Sequence, residues 1–135
     1  MADYWLLKTE PGTYSYDDLI RDGSTFWDGV RNFQARNNLK AIKKGDKAFI
    51  YHSVGPKEIV GMASVSKEHY PDPTDKTGAW VVVDIKPQKK FKTPVHLETV
   101  KTDKILKETA LVKQSRLSVM PITPKQADRI LELSK

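Results

Sequence analysis

The sequence predicts a small α+β domain in which about five strands form a curled sheet or open barrel, with short helices between and after them. Short apolar runs rich in β-branched residues recur between Gly and Pro turns, which indicates strands. Helical spacing of apolar residues is confined to a few short segments. A chain of 135 residues has the length of one domain with one moderate core. We therefore expect a single domain that spans residues 1–135.

The first third of the chain predicts a strand and a short helix. Tyr4–Lys8 is an apolar run that ends at a turn made by Glu10, Pro11 and Gly12. Ser15 followed by Asp18 at the third position is a capping-box variant, which predicts a helix that ends at Gly23.

A second helix and a strand pair are expected in the middle of the chain. Apolar residues in the segment from Asn32 to Lys43 recur at helical spacing, and they are Ala35, Leu39 and Ile42. Lys47–Ser53 then alternates as a strand, and Gly55-Pro56 turns the chain into Glu58–Ser66, its antiparallel partner.

The second half predicts two further strands and a terminal helix. A polar loop opens at Tyr70 and leads to the β-branched strand Ala79–Pro87. The prolines at 87 and 94 predict that the chain beyond this strand is edge strand or loop. Asp103–Glu108 is expected to form a helical turn or two and Arg116–Ile122 a last strand. Thr123, Pro124 and Gln126 begin a C-terminal helix.

The composition excludes several classes of protein. No apolar run approaches the roughly 18 residues that a membrane span needs, and the N-terminus lacks the apolar stretch of a secretory signal. The chain has no cysteine, so disulfides and thiolate chemistry are excluded and a cytoplasmic location is favoured, with nucleoid association if the source is bacterial.

The basic charge is concentrated in one stretch. Residues 86–116 carry nine basic and three acidic side chains, so they account for a net charge equal to the +6 of the whole chain. Clustered Lys and Arg favour a polyanionic partner because each phosphate contact releases counterions. Lysines that only confer solubility are the alternative.

Enzyme and cofactor signatures are absent from the sequence. It contains neither a GxGxxG nor a GxxxxGK[ST] phosphate cradle. His52, His69 and His96 are far apart and have no partner at metal-ligand spacing. We expect no cofactor, no metal and no catalytic activity.

One segment has the composition of a binding site. FWDGVRNFQARNNLK, residues 26–40, places a tryptophan and a glycine before several Arg, Asn and Gln side chains. Arg, Asn and Gln suit planar hydrogen-bonding edges, and Trp is a good surface for stacking. Alternatively, Trp27 fills the core. Tyr4, Trp5, Phe33 and Phe49 are assigned to the core.

Several segments together resemble the EVE domain over essentially the whole chain. In order along the sequence they are YWLLKTEP, FWDGVRNFQARNNLK, GDKAFIYHS, IVGMASV, YPDPT and LVKQSRLSVMPIT. Two positions depart from the family pattern. Val54 stands where Asn is common after YHS, and Thr9 stands where Ser is common.

The resemblance implies a PUA-like fold, in which a strongly curved mixed sheet forms an open pseudo-barrel, and a relation to the YTH domain. It also implies a module that holds a modified base of nucleic acid, chiefly a modified cytosine of DNA. A base inside a duplex must be flipped out before its face can be gripped. The expected partner is therefore modified nucleic acid, DNA before RNA, bound by a monomer without membrane or metal.

The resemblance also implies the residues of the site. Trp27 would stack on the base, Gly29 would allow close approach, and Asn32 would contact the base edge. The base pocket would further contain Lys8, Thr9, Glu10, His52, Ser53, Trp80, Arg116 and Ser118. Phosphates would be bound by Arg31, Arg36, Lys89, Lys90 and Lys92.

Other interpretations of these residues stay open. Trp80 could be a core residue, His52 a structural histidine, and Arg116 the partner of a carboxylate. The alternative functions are a small hydrolase acting on a modified nucleotide with His52 or Glu10 as base, an RNA modified-base reader of YTH type, and a protein-interaction module.

Overall fold

A six-stranded mixed sheet organises the chain, and the computed structural model describes residues 3–135. The strands are β1 (Tyr4–Thr9), β2 (Thr25–Phe26), β3 (Lys47–His52), β4 (Glu58–Pro71), β5 (Val81–His96) and β6 (Val119–Ile122). The helices are α1 (Tyr16–Asp22), α2 (Phe33–Ala41), α3 (Leu97–Thr102), α4 (Ala110–Lys113) and α5 (Pro124–Leu133), with a 3-10 turn at Leu106–Glu108.

The sheet is open and curled. Its strand order is β2-β5-β4-β3-β1-β6, with β1 and β3 parallel and the other neighbours antiparallel. Irregular register between β3 and β4 and at several points between β4 and β5 bends the sheet, because a bulge increases local twist. The predicted α+β class with a curved mixed sheet and short helices is confirmed.

The predicted helices α1, α2 and α5 form from the expected signals. Ser15 and Asp18 make the capping box of α1, and Thr123 and Gln126 make that of α5. The apolar stripe of α2 is fully buried, as predicted, through Ala35, Leu39 and Ile42.

Asp46 ties the beginning of β1 to the turn before β3. This buried carboxylate accepts hydrogen bonds from the indole Nε1 of Trp5 at 2.9 Å and from the backbone N–H groups of Asp3 and Lys43 at 3.0 and 2.9 Å. A buried polar group with satisfied partners fixes the position of each of them. The parallel pairing of β1 with β3 is thereby anchored at one end.

The β4–β5 hairpin is much longer than predicted. Strand β4 continues to Pro71 where a loop was expected to open at Tyr70, because its distal half pairs with β5 while its polar side chains face solvent. Pro87 and Pro94 lie within β5, which is a near-edge strand. Pro87 pairs with Ala63 where the register shifts, and Pro94 lies in the irregular stretch between Lys90 and Val95. A residue without an N–H is tolerated at such interruptions.

Other elements were missed or misplaced. Strand β2 has two residues, too few for a periodic signal, and α3 and α4 have no side-chain cap. The last strand begins at Val119 instead of Arg116. Trp5 and Phe49 are buried as expected, but the assignment of Phe33 to the core is wrong, since its side chain is 65% exposed. No helix among residues 3–135 is long and apolar enough to cross a membrane.

Gly61 generates a prediction about stability. A Cβ at this position would lie 2.7 Å from Cζ of Tyr16 and 2.9 Å from the carbonyl oxygen of Lys89. Gly61→Ala should therefore lower the free energy of unfolding by about 1–3 kcal/mol through overpacking. Urea denaturation measures the change. Gly12→Ala is the matched control because a methyl group added there would have no atom within 4 Å, and an equal loss in both variants would contradict the prediction.

Candidate nucleic-acid interface

A cavity opens where β1 ends and β2 begins. Its volume is about 580 Å³. The lining residues come from the end of β1, the loop before α1, β2 and the segment after it, and they are Lys8, Thr9, Glu10, Thr13, Tyr14, Thr25, Phe26, Trp27, Asp28 and Gly29. We call this the aromatic cavity.

Three aromatic residues line the aromatic cavity, and they are Tyr14, Phe26 and Trp27. Trp27 is 7% exposed, and its ring meets the ring of Tyr14 edge-on at 6.2 Å between centroids and 84° between planes. The backbone N–H of Trp27 donates to the carbonyl of Val83 at 2.8 Å, which fixes the residue against β5. Phe26 remains 39% exposed. The aromatic cavity therefore offers aromatic surface to a planar ligand.

The end of β1 supplies the polar side of the aromatic cavity. The Thr9 hydroxyl donates to the carbonyl of Tyr14 at 2.7 Å, so its oxygen keeps lone pairs that can accept from a ligand. The Lys8 ammonium donates to the carbonyl of Ser115 at 2.7 Å, and partial burial lowers the pKa of Lys8, as does the nearby charge of Lys57. The Glu10 side chain is exposed at the rim.

The segment after Trp27 is held by a buried carboxylate. Gly29 has φ of 78°, a conformation that favours glycine. Asp72 is 1% exposed and accepts from Thr74 Oγ1 at 2.6 Å, from the Thr74 N–H at 2.7 Å and from Arg31 Nη1 at 3.1 Å. Burial alone would raise the pKa of Asp72, but these bonds and one from the Gly29 backbone outweigh it and hold the pKa below its usual value.

A smaller polar cavity of about 300 Å³ adjoins the aromatic cavity. It is lined by Asn32, Gln34, Lys113, Gln114, Ser115, Arg116 and Leu117. The two cavities are linked because Lys8 lines one and donates to Ser115 of the other. Asn32 is the N-cap of α2, and its Oδ1 accepts from the Ala35 N–H at 2.9 Å. The amide nitrogen of Asn32 and the second lone pair of its Oδ1 are left for a ligand.

His52 lies in a third cavity, not in the aromatic one. This cavity of about 190 Å³ also contains Tyr16, Glu58 and Lys90. Nε2 of His52 accepts from the Tyr16 N–H at 3.2 Å, and burial lowers the pKa of His52, although the charges of Glu58 and Asp17 oppose this. The imidazole therefore acts as a neutral acceptor at the beginning of α1.

Trp80 packs under an exposed aromatic ring instead of lining the aromatic cavity. Its ring is stacked on Phe33 with a centroid distance of 5.3 Å and an interplanar angle of 28°. The guanidinium groups of Arg31 and Arg36 lie 5.7 and 5.6 Å from the centroid of Trp80. Arg36 Nη1 donates to the carbonyl of Ala79 at 3.1 Å. Both arginines assigned to phosphate thus have internal partners.

The structure brings only part of the predicted site together. Lys8, Thr9, Glu10 and Trp27 share the aromatic cavity. Arg116 and Asn32 line the adjoining cavity, Ser53 donates to the carbonyl of Thr9 at 3.2 Å through its hydroxyl, and Ser118 accepts from the Lys8 N–H at 3.0 Å through its carbonyl. Of the predicted phosphate contacts on β5, Lys90 pairs with Asp17 at 2.7 Å, and Lys89 and Lys92 are exposed.

Sequence reasoning missed two of the three aromatic residues. Tyr14 lies in the loop that follows the end of β1, and Phe26 immediately precedes Trp27. The sequence signal that could have identified Tyr14 is its position a few residues after the predicted end of a strand, and for Phe26 it is its position next to Trp27. Within residues 3–135, no group of three or more His, Cys, Asp or Glu side chains is arranged to hold a metal ion.

Comparison with known proteins gives consistent matches over the chain. The EVE domain family model matches residues 3–133. The chain is 35% identical to thymocyte nuclear protein 1 of Gallus gallus, in an alignment that covers 98% of this chain and 69% of that protein.

Solved structures share the fold. A protein from Rhodopseudomonas palustris superimposes with a TM-score of 0.92 at 45% identity, over 98% of this chain and 93% of the other. The human THYN1 protein, in a crystal structure with 5-methylcytosine-containing DNA, superimposes with a TM-score of 0.89 at 33% identity, over 99% of this chain and 98% of the other.

The Asp72 carboxylate gives a pH-dependent prediction. Asp72→Asn should lower the free energy of unfolding at neutral pH by about 1–3 kcal/mol, because a buried, charge-assisted hydrogen-bond set is broken. Since the folded state holds the pKa below the usual 3.8, this contribution is present above that pH and is lost as the pH falls through the lowered value.

Urea unfolding at neutral pH and at about pH 3 measures both effects. The deficit of Asp72→Asn should shrink at the lower pH. The control is Asp128→Asn, since Asp128 is exposed on α5. A deficit of the same size at both pH values would show that the carboxylate charge is not what stabilises this segment.

Proposed function

The chain belongs to the EVE domain family, and from this premise we propose that it is a non-catalytic nucleic-acid-binding module that holds a flipped-out modified cytosine of DNA. The observation that carries the proposal is the aromatic cavity, which is lined both by aromatic rings and by polar groups from the end of β1. DNA is favoured over RNA because the human relative was solved with DNA that contains 5-methylcytosine.

The size and surfaces of the aromatic cavity suit a nucleobase. A volume of about 580 Å³ lies within the ordinary range of about 300–1,000 Å³ for ligand sites. Stacking of a base on an aromatic ring contributes about 1–3 kcal/mol. Trp27 would supply this contact, with Tyr14 holding its ring in place and Phe26 closing the exposed side.

The polar groups of the aromatic cavity complement the edge of cytosine. The exocyclic amino group of cytosine is a donor, and carboxylates are suited to accept from it. Glu10 and the hydroxyl oxygen of Thr9 are acceptors at the end of β1, and the Lys8 ammonium is a donor beside them. Base identity would therefore be read by these groups. A buried methyl adds about 0.8 kcal/mol, or about fourfold in affinity.

The hydrolase alternative has less geometric support. His52, one of its two candidate bases, lines a different cavity and uses Nε2 to accept from the beginning of α1. Glu10 alone remains, at the open rim of the aromatic cavity. A general base needs to be held within reach of the proton that it removes, and no described residue orients Glu10 by a side-chain hydrogen bond.

Variants of the aromatic cavity test the proposal. We expect the protein to bind a short duplex with one central 5-methylcytosine about fourfold more tightly than the unmodified duplex. Trp27→Ala and Glu10→Ala should weaken binding of the modified duplex about fivefold to a hundredfold, and Trp27→Ala should remove the preference. Fluorescence anisotropy at fixed salt measures the affinities, with RNA and adenine-modified probes in parallel.

The control for Glu10→Ala is Glu98→Ala, since the Glu98 side chain is 86% exposed and lies on α3. Trp27 is buried, so thermal melting must first establish that Trp27→Ala folds, and Glu10→Ala covers the case in which it does not. The proposal would be refuted if the protein bound all probes with equal affinity and neither Trp27→Ala nor Glu10→Ala changed that affinity. A hundredfold preference for the methyl group would contradict the argument that polar groups dominate.

The basic stretch gives a separate prediction that distinguishes nucleic-acid binding from protein interaction. Reversing the charge of the two exposed lysines, Lys89→Glu with Lys92→Glu, should weaken binding and reduce the slope of log affinity against log salt by about 2. The reason is that each phosphate that is no longer contacted by a lysine keeps about one counterion when the protein binds. The control, Lys44→Glu with Lys125→Glu, makes the same change in net charge outside residues 86–116. Equal slopes for both double variants would exclude the backbone role of β5.

A further inference from the structure

Phe33 is an exposed aromatic side chain at the beginning of α2. It follows the N-cap Asn32 directly, and it is 65% exposed, the highest value among the exposed large apolar residues that the structure describes. A phenylalanine in this position leaves apolar area in water without any gain from burial. A single exposed apolar residue is common on protein surfaces, and it is the surroundings of Phe33 that indicate a binding surface.

The Phe33 ring is held rigidly from below. Trp80 stacks on it at 5.3 Å, and the Arg36 guanidinium lies 4.9 Å from its centroid. Arg36 is in turn fixed by its hydrogen bond to the Ala79 carbonyl. We call Phe33, Trp80 and Arg36 the Phe33 platform. A platform that is already ordered loses little side-chain entropy when a ligand stacks on it.

The Phe33 platform carries positive charge. Arg31 is paired with Asp72, but among residues 3–135 no carboxylate lies within ion-pair distance of Arg36. The buried Nε of Arg36 also has no hydrogen-bond partner there. An aromatic face beside an unneutralised guanidinium matches a nucleotide, which combines a planar base with a phosphate.

The Phe33 platform is close to the aromatic cavity. Gly29 lines that cavity, and Phe33 follows four residues later, so the two positions are at most about 14 Å apart. Successive nucleotides of one strand are spaced by about 3.4 Å. A nucleic acid with one base in the aromatic cavity would thus place its neighbouring nucleotides within reach of Phe33.

We propose that Phe33 stacks on the neighbouring base whose face is uncovered when the cytosine leaves the duplex. The proposal rests on the function proposed above and adds a second contact to it. Flipping removes the stacking partner of the flanking bases, and a fixed aromatic ring replaces part of that lost stacking. Because every base has a stacking face, Phe33 contributes affinity without reading the methyl group.

The test is a set of affinities for modified and unmodified duplexes. Phe33→Ala should weaken binding of both about fivefold to a hundredfold and leave their ratio unchanged, whereas Phe33→Trp should restore binding. Ile20→Ala, which truncates another exposed apolar side chain, is the matched control. In a further set of duplexes, each of the two bases that flank the modified cytosine is replaced in turn by an abasic site. At the one flanking position that Phe33 contacts, the replacement should weaken binding of the wild-type protein but have little effect on binding of Phe33→Ala.

Different results separate the two proposals. If Phe33→Ala binds like Ile20→Ala while Trp27→Ala removes the preference for 5-methylcytosine, the Phe33 platform does not contact nucleic acid and the proposed function stands. The surface would then be available to a protein partner. If no duplex is preferred and Trp27→Ala changes nothing, the proposed function is overturned, and the Phe33 proposal is overturned with it.

Discussion

The buried carboxylate of Asp72 is the interaction on which the arrangement of the interface depends. It lies just beyond the end of β4, yet it binds Arg31 and the Gly29 backbone from the segment after β2. Two parts of the chain separated by about forty residues are thereby joined at one buried point. The same segment forms the aromatic cavity with one end, at Trp27, and the Phe33 platform with the other.

This arrangement explains why one short segment carries so many polar and aromatic side chains. Trp27 faces inward to the cavity, whereas Phe33 begins α2 and faces outward. Asn32 between them caps the helix, and Arg31 is an internal ion-pair partner. Side chains that look like ligand contacts in the sequence therefore also hold the segment in shape. A site on a loop needs such internal support to keep its geometry.

The sequence predicts those parts of the structure whose signals are local. Capping residues predict α1 and α5, and the spacing of Ala35, Leu39 and Ile42 predicts the buried face of α2. The extension of β4 and the path of β5 through two prolines depend on partner strands, so no local pattern indicates them. For the site, the sequence correctly predicts that the residues at the end of β1 lie in the same cavity as Trp27. Trp80 stacks on Phe33 and His52 accepts from the Tyr16 N–H, and the spacing of residues in the sequence does not predict either tertiary contact.

The shortness of β2 has a dynamic consequence. This strand is held to β5 through only Thr25 and Phe26, with one further bond from the Trp27 N–H to Val83. Segments with few backbone bonds open with a smaller free energy than the global unfolding of the domain. The amide protons of Thr25 and Phe26 would therefore exchange with solvent earlier than those of the central strands β1, β3 and β4.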